Sequence, residues 1–132
     1  MDGSLDTHVL LRFACKDVAD QFAQALALLA RPGARYNVAD AAWIELAHAL
    51  EVHYRMDRNA VTDVIESLLG IDSIAADSGA IAATCAAYRE HPKLSFADCY
   101  LATHATRVTA LPLYTFDQKL ANQHPAARAV PK

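Results

Sequence analysis

Four acidic residues of this sequence stand where their carboxylates could share one site. Asp6 interrupts what would otherwise pass for a short strand running into a helix, and Asp117 ends the predicted strand 111–116. Glu45 lies inside an apolar stretch that predicts a helix, and Asp98 belongs to the first turn of another predicted helix. Carboxylates brought within about 4 to 6 Å repel one another unless a cation lies between them. Oxygen ligands suit Mg²⁺ or Mn²⁺, which polarise phosphodiesters and activate water, so the acids predict metal-assisted phosphodiester hydrolysis.

Each acid also has an ordinary structural interpretation. Asp6 can cap the following turn, which is the commoner use of Asp at a strand-to-helix junction. Asp98 completes a Ser-x-x-Asp capping box that starts at Ser95, and Asp117 can cap the next helix. Glu45 has no capping role, although a solvent-facing position would also explain it. The sequence leaves both interpretations open for each acid and favours function for Glu45.

Three neighbours of these acids are candidate supporting residues. Thr7 and Thr115 can hydrogen-bond a carboxylate, a metal-bound water or a phosphate. For Thr7, packing of a β-branched side chain in a strand is the favoured alternative. His8 can hold the site in place by contacting a ligand of the metal. None of the six histidines lies in an HExxH or similar metal-binding pattern.

Alternating helices and short strands must position the four acids. Periodicity and turn residues predict helices at 18–29, 41–54, 58–69, 78–88, 96–108 and 118–123, and strands at 35–38, 71–76, 111–116 and 127–130. Such alternation predicts a parallel sheet with helices on both faces. Ligands of these sheets bind beyond the carboxyl ends of the strands, so the four acids are predicted to meet at one rim.

Local signals fix several ends of these elements. Asp17, Asp40 and Asp57 are predicted N-caps, and Gly70 is predicted to follow its helix in the C′ position. Helix 41–54 is apolar nearly all round, which predicts that it is largely buried.

Composition limits the class of protein. With 132 residues and 54% hydrophobic residues, the chain is expected to form one compact domain, 1–132. Its longest apolar runs fall short of the roughly 20 residues of a membrane helix, and no signal peptide is expected. Three widely spaced cysteines suggest a reducing cytoplasm and argue against zinc. The net charge of −3 provides no basic field for nucleic acid, although a bound cation can reverse the sign of an acidic site.

Four segments carry a resemblance to a known family. They are residues 5–11, 44–46, 94–98 and 114–120, and each contains one of the four acids. In order and spacing they resemble the four acidic motifs of PIN-domain ribonucleases, most closely the VapC toxins of bacterial type II toxin-antitoxin systems. The resemblance spans residues 5 to about 120.

The resemblance implies a three-layer α/β/α domain with a central parallel sheet. It further implies that Asp6, Glu45, Asp98 and Asp117 hold Mg²⁺ or Mn²⁺ and cleave RNA with a metal-activated water. Asp6 and Asp98 would be the main ligands, and the other two acids would complete the shell or position the water.

Other expectations concern partners and supporting residues. Members of the family usually form homodimers and are silenced by a cognate VapB-like antitoxin, whose carboxyl-terminal segment lies over the active site. Thr115 matches the small hydroxyl residue often placed two positions before the last acid. His8 departs from the commoner Asn, although a form of this motif with His is familiar.

Two rival interpretations belong to other classes of protein. A receiver-type signalling domain is also doubly wound, and Asp77 could be its phosphoacceptor. That interpretation lacks the required lysine and gives Glu45 no role. A catalytically silent PIN module that only binds a protein partner is the other rival, against which the intact acids argue.

Overall fold

The computed structural model describes residues 1–132, which form two compact units, Met1–Ser78 and Gly79–Lys132. The first unit contains β1 (Gly3–Ser4), α1 (Thr7–Cys15), α2 (Ala19–Leu29), β2 (Tyr36–Asn37), α3 (Asp40–Val52), α4 (Arg58–Leu69) and β3 (Ile74–Ala75). Helix α5 (Ser78–Glu90) begins at the boundary, and the second unit continues with α6 (Phe96–Arg107), β4 (Leu113–Thr115), α7 (Gln118–Gln123) and β5 (Ala127–Ala129). None of these helices is long and apolar enough to cross a membrane.

The sheet of the first unit has three parallel strands in the order β1-β2-β3. Helices α1 and α2 connect its first two strands, and α3 and α4 connect the next two, as parallel pairing requires. Each strand has only two residues, so the predicted strands 35–38 and 71–76 are too long. Single backbone bonds continue the pairing past the strand ends, from Leu5 N to Asn37 O (2.9 Å) and from Val38 N to Ala75 O (2.9 Å).

Helix α3 buries one face and exposes the other. Trp43, Leu46 and Leu50 are fully buried, whereas Glu45 and His48 are exposed. The prediction that this helix is largely buried is therefore wrong for its outer face. Small apolar residues such as alanine are tolerated on exposed helix surfaces, so apolar composition alone overstates burial. Glu45 stands on this exposed face.

Two of the predicted caps are wrong. Helix α2 starts after Val18, which offers no side-chain cap, and the Asp17 carboxylate instead accepts a hydrogen bond from the Tyr54 hydroxyl. The carboxylate of Asp17 thus binds a residue distant in sequence in place of the backbone N–H groups of the helix. Helix α3 is preceded by Ala39, and Asp40 is its first residue, where an acid still interacts favourably with the helix dipole.

Helix α4 has the predicted bounds. The Asp57 carboxylate caps it by accepting from the N–H of Ala60 at 2.8 Å, as predicted. Gly70 ends it with a φ of −80°, which is right-handed. Gly70 is thus the C-cap itself and not the left-handed C′ residue that was predicted, so any residue type could adopt its φ.

The second unit has one parallel strand pair, β4-β5, in which Leu113 pairs with Ala127 and Thr115 with Ala129. Helix α7 begins and ends where the sequence predicts, α6 ends one residue earlier and α5 continues two residues further. The Tyr88 and Phe96 rings meet edge to face, with centroids 5.4 Å apart, and help to bury α5 and α6. The α/β pattern of parallel strands joined by helices therefore extends over both units.

Candidate active site

Asp6 lies two residues after β1 and is the N-cap of α1. Its Oδ1 accepts a hydrogen bond from the N–H of Thr7 at 2.7 Å. Its Oδ2 lies 3.5 Å from Nδ1 of His8, and both side chains are exposed. The capping interpretation is therefore correct, yet it uses one carboxylate oxygen and leaves the other at the surface, beside His8.

Thr7 connects the first two candidate acids. It is the first residue of α1, only 4% exposed, and its hydroxyl donates to Oε2 of Glu45 at 2.8 Å. A weaker acceptor, the carbonyl oxygen of Ala42, lies 3.5 Å from the same hydroxyl. The favoured interpretation of Thr7 as a strand-packing residue is wrong, because Thr7 is helical and its hydroxyl holds a carboxylate. Asp6 and Thr7 are neighbours in the chain. Asp6 caps α1, and Thr7 holds the Glu45 carboxylate, so one short segment positions the first two candidate acids.

An open groove of about 360 Å³ begins at Thr7 and Glu45 and continues past a polar network. In that network the Tyr54 hydroxyl donates to Oδ2 of Asp17 at 2.7 Å. Nη1 of Arg12 lies 3.3 Å from the Tyr54 oxygen and 3.3 Å from Oδ1 of Asp17. The sequence offers no signal for this association, because Tyr54 is 37 residues from Asp17.

Hydrogen bonding shifts two pKa values in the network. The hydrogen bond from the Tyr54 hydroxyl is the main cause that lowers the pKa of Asp17 below its ordinary value, and the guanidinium of Arg12 adds to the lowering. The same hydrogen bond to Asp17 raises the pKa of Tyr54, and burial adds to that rise. Both shifts favour an ionised Asp17 and a protonated Tyr54 at neutral pH.

Asp98 occupies the third position of α6, in the second unit, as the sequence predicts. The Ser95 hydroxyl caps the helix by accepting from the N–H of Asp98 at 3.1 Å. The return bond of a capping box, from the N–H of Ser95 to the Asp98 carboxylate, is not formed. Capping therefore leaves the half-buried Asp98 carboxylate available for another ligand.

Asp117 is the N-cap of α7 and lies two residues after β4. Its Oδ1 accepts from the N–H groups of Lys119 (2.9 Å) and Leu120 (3.3 Å). Its own N–H donates to the Thr115 hydroxyl at 2.9 Å. Thr115 thus fixes the backbone of Asp117, and Oδ2 of this acid takes no part in the cap.

The donor chemistry of the four acids fits a hard divalent cation. Each carboxylate has at least one oxygen that accepts none of the hydrogen bonds described above, and oxygen donors are the ligands that Mg²⁺ and Mn²⁺ prefer. Two of the acids belong to each unit, and in neither unit do three or more His, Cys, Asp or Glu side chains form a group that could hold a metal ion. The meeting of all four acids in one site stays a prediction.

Comparison with known proteins identifies a family match over most of the chain. The family model described as "PIN domain" matches residues 4–123, a span that includes all four acids and both supporting threonines. No curated protein matches the chain at a significant level.

Proposed function

The chain belongs to the PIN-domain family, whose members are generally nucleases, and from this premise we propose that it is a metal-dependent endoribonuclease. The family match confirms the PIN-like α/β fold predicted from the sequence and weighs against a receiver-type domain. The proposed substrate is RNA, and the proposed reaction is hydrolysis of a phosphodiester bond by water.

The contact that best supports the proposal is the hydrogen bond from Thr7 to Glu45. A mid-helix glutamate on an exposed face needs no partner for stability, because water solvates it. Here the buried hydroxyl of Thr7, the residue that follows Asp6, donates to it from another helix at 2.8 Å. This arrangement restricts one oxygen of Glu45 and leaves the other free, as expected of a carboxylate that binds a ligand.

We assign Asp6, Glu45, Asp98 and Asp117 to the binding of Mg²⁺ or Mn²⁺. A bound divalent cation supplies positive charge that polarises the phosphodiester and lowers the pKa of water. The same charge offsets the repulsion among four carboxylates, which otherwise excludes an anionic RNA backbone.

The neighbouring residues act on the acids. Thr7 orients Glu45, and Thr115 fixes the turn that presents Asp117. His8 stands 3.5 Å from Asp6 and, when protonated, can restrain its outer oxygen. Because hydrogen bonds hold the carboxylates of Asp6, Glu45 and Asp117, these three side chains lose little conformational entropy when a ligand binds.

The biological setting is a further part of the proposal. We place the protein in the cytoplasm as the toxin of a VapBC-like type II system, active as a homodimer and silenced by a VapB-like antitoxin. The three free cysteines are compatible with that reducing compartment. Induced expression in a bacterial host should arrest growth, whereas expression of Asp6→Asn should not, and equal growth of both cultures would exclude toxicity through this site.

The test of the enzyme is RNA digestion by matched Asp→Asn variants. Asparagine caps a helix as well as aspartate does, so Asp6→Asn removes a charge without removing the cap of α1. Asp57→Asn makes the same change at the cap of α4 and is the control. With Mg²⁺ or Mn²⁺, wild type and Asp57→Asn should cut RNA to discrete products, whereas Asp6→Asn and Asp98→Asn should match wild type in EDTA. Full cleavage by both of the latter variants would contradict the proposal.

A further inference from the structure

Two histidines of the second unit meet ring against ring at a pair of similar turns. His91 follows α5 and His124 follows α7, and their ring centroids lie 5.0 Å apart with 42° between the planes. A proline follows each histidine, and the histidine carbonyl oxygen closes each turn by accepting from the N–H of Leu94 (3.0 Å) or of Ala127 (3.1 Å). Both histidines are half-buried. The backbone of two turns therefore fixes the contact between the imidazoles.

A hydrogen bond determines where the His124 ring carries its proton. Its Nδ1 accepts from the N–H of Ala126 at 3.0 Å. A backbone N–H can only donate, so Nδ1 carries no proton and the neutral ring carries its single proton on Nε2. A metal ion bound at Nε2 would require that proton on Nδ1 instead, so the bond to Ala126 disfavours a metal site here.

Ala126 connects this ring to the strand pair β4-β5. Its carbonyl oxygen accepts from the N–H of Leu113 at 2.8 Å, and the next residue, Ala127, pairs in register with Leu113. A proton on Nδ1 of His124 would face the N–H of Ala126, so two donors would meet at a distance that suits a donor and an acceptor. The turn that carries Ala126 would then have to move, and the first bond between β4 and β5 would move with it.

The surroundings of His124 favour its neutral form. Burial, followed by the neighbouring His91, lowers the pKa of His124 below its ordinary value of 6.5, whereas the Glu90 carboxylate raises it by a smaller amount. His91 and Glu90 are the titratable groups that act on this ring. Because the folded state binds this proton less readily than the unfolded chain, the contribution to stability is complete above pH 6.5 and is lost as the pH falls below it.

We propose that His124 and His91 form a pH-sensitive latch, which holds the start of β5 against β4 while His124 is neutral and releases it when His124 is protonated. Protonation adds one proton to Nδ1, which replaces the hydrogen bond to Ala126 by a repulsion between two donors. It also places a positive charge beside the ring of His91. Both effects act on the turn from which β5 begins.

The latch is measured by NMR between about pH 7.5 and about pH 5, the range in which imidazole titrates, without RNA or metal. At the upper end, the nitrogen signals of the His124 ring should report the tautomer with the proton on Nε2. As the pH falls, protection of the Leu113 N–H from hydrogen exchange should decrease by about tenfold, the effect of one lost hydrogen bond. The N–H of Cys99, which bonds to the Ser95 carbonyl oxygen in α6, is the internal control and should keep its protection.

Three variants separate the latch from a general effect of acid. His124→Asn removes the titration but keeps the acceptor, because an asparagine side chain bonds the backbone N–H two residues further on, as His124 does. Protection of Leu113 should then change by less than about twofold. His91→Gln removes the opposing charge, so protection should be lost at a higher pH than in wild type. His48→Asn, at an exposed histidine of the first unit, should respond to pH as wild type does.

The latch is overturned if the His124 ring carries its proton on Nδ1 at neutral pH, or if the Leu113 N–H keeps its full protection after the ring has titrated. It is equally overturned if His124→Asn loses protection in acid as wild type does, because the change would then come from another group. Circular dichroism at each pH shows whether a variant is folded. If His124→Asn does not fold, the titration of wild type decides by itself.

The latch and the proposed nuclease fail separately. Loss of Leu113 protection in acid, in a protein that cuts no RNA with Mg²⁺ or Mn²⁺, would keep the latch and remove the nuclease. RNA cleavage that depends on Asp6, in a protein whose Leu113 protection does not respond to pH, would keep the nuclease and remove the latch.

Discussion

Replacement of Thr7 by valine tests whether its hydroxyl holds Glu45. Valine has the same shape and a similar helix propensity, so the change removes one donor and little else. Hydrogen bonds to charged groups contribute about 1.5–3 kcal/mol when both partners are shielded. Glu45 is exposed, so water will take the place of the lost hydroxyl. We therefore expect the free energy of unfolding to fall by about 1 kcal/mol, below that range.

The coupling between the two residues can be measured separately. In Glu45→Ala the Thr7 hydroxyl can turn to the Ala42 carbonyl, 3.5 Å away, which limits the loss. A double-mutant cycle of Thr7→Val and Glu45→Ala, followed by urea unfolding, should give a coupling of about 0.5–1 kcal/mol. Thr106→Val is the control, because its hydroxyl bonds only within its own helix, to Ala102. It should change stability by less than about 0.5 kcal/mol.

Two results would refute this reasoning. A coupling within about 0.3 kcal/mol of zero would mean that the Thr7–Glu45 bond contributes nothing in solution. A change in the urea m-value would mean that the variants differ in compactness, in which case the contact cannot be isolated.

Two further predictions concern Asp117 and the groove network. Asp117→Asn should keep the α7 cap and most of the stability, whereas Asp117→Ala should lower the free energy of unfolding by about 1 kcal/mol. Both variants should lose RNA cleavage. Full activity in Asp117→Asn would contradict a role for the carboxylate. The pKa of Asp17 is lowered in the folded state, so its contribution to stability is present above the ordinary value of 3.8 and is lost as pH falls through the folded-state pKa. Tyr54→Phe removes the main cause of that shift. The fall in melting temperature from neutral pH to below about pH 4 should therefore be smaller in the variant than in wild type. An equal or larger acid-induced decrease in the variant would show that Tyr54 does not control Asp17.

Local signals fixed much of the secondary structure. The bounds of α4 and α7 follow from the caps Asp57 and Asp117, whose carboxylates reach N–H groups two or three residues away. Capping depends on short-range geometry, so it can be read from the order of residues. The same applies to the position of Asp98 in the first turn of α6 and of Asp6 after the first strand.

Where a distant residue competes, local signals fail. Asp17 has the residue type and position of a cap, but Tyr54, 37 residues further along the chain, donates its hydroxyl to the Asp17 carboxylate at 2.7 Å. The length of the two-residue strands in the first unit also depends on distant residues, because a strand extends only as far as another backbone segment pairs with it. Apolar stretches in the sequence do not report where that pairing ends.

The candidate site shows the same division. The sequence by itself determined which acids are available, their order and the family that uses them, because those depend on residue type and spacing. Only the tertiary structure decided that Thr7 is helical and holds Glu45, and that the rings of His91 and His124 meet. Both depend on how one element approaches another, a long-range property that no local pattern encodes.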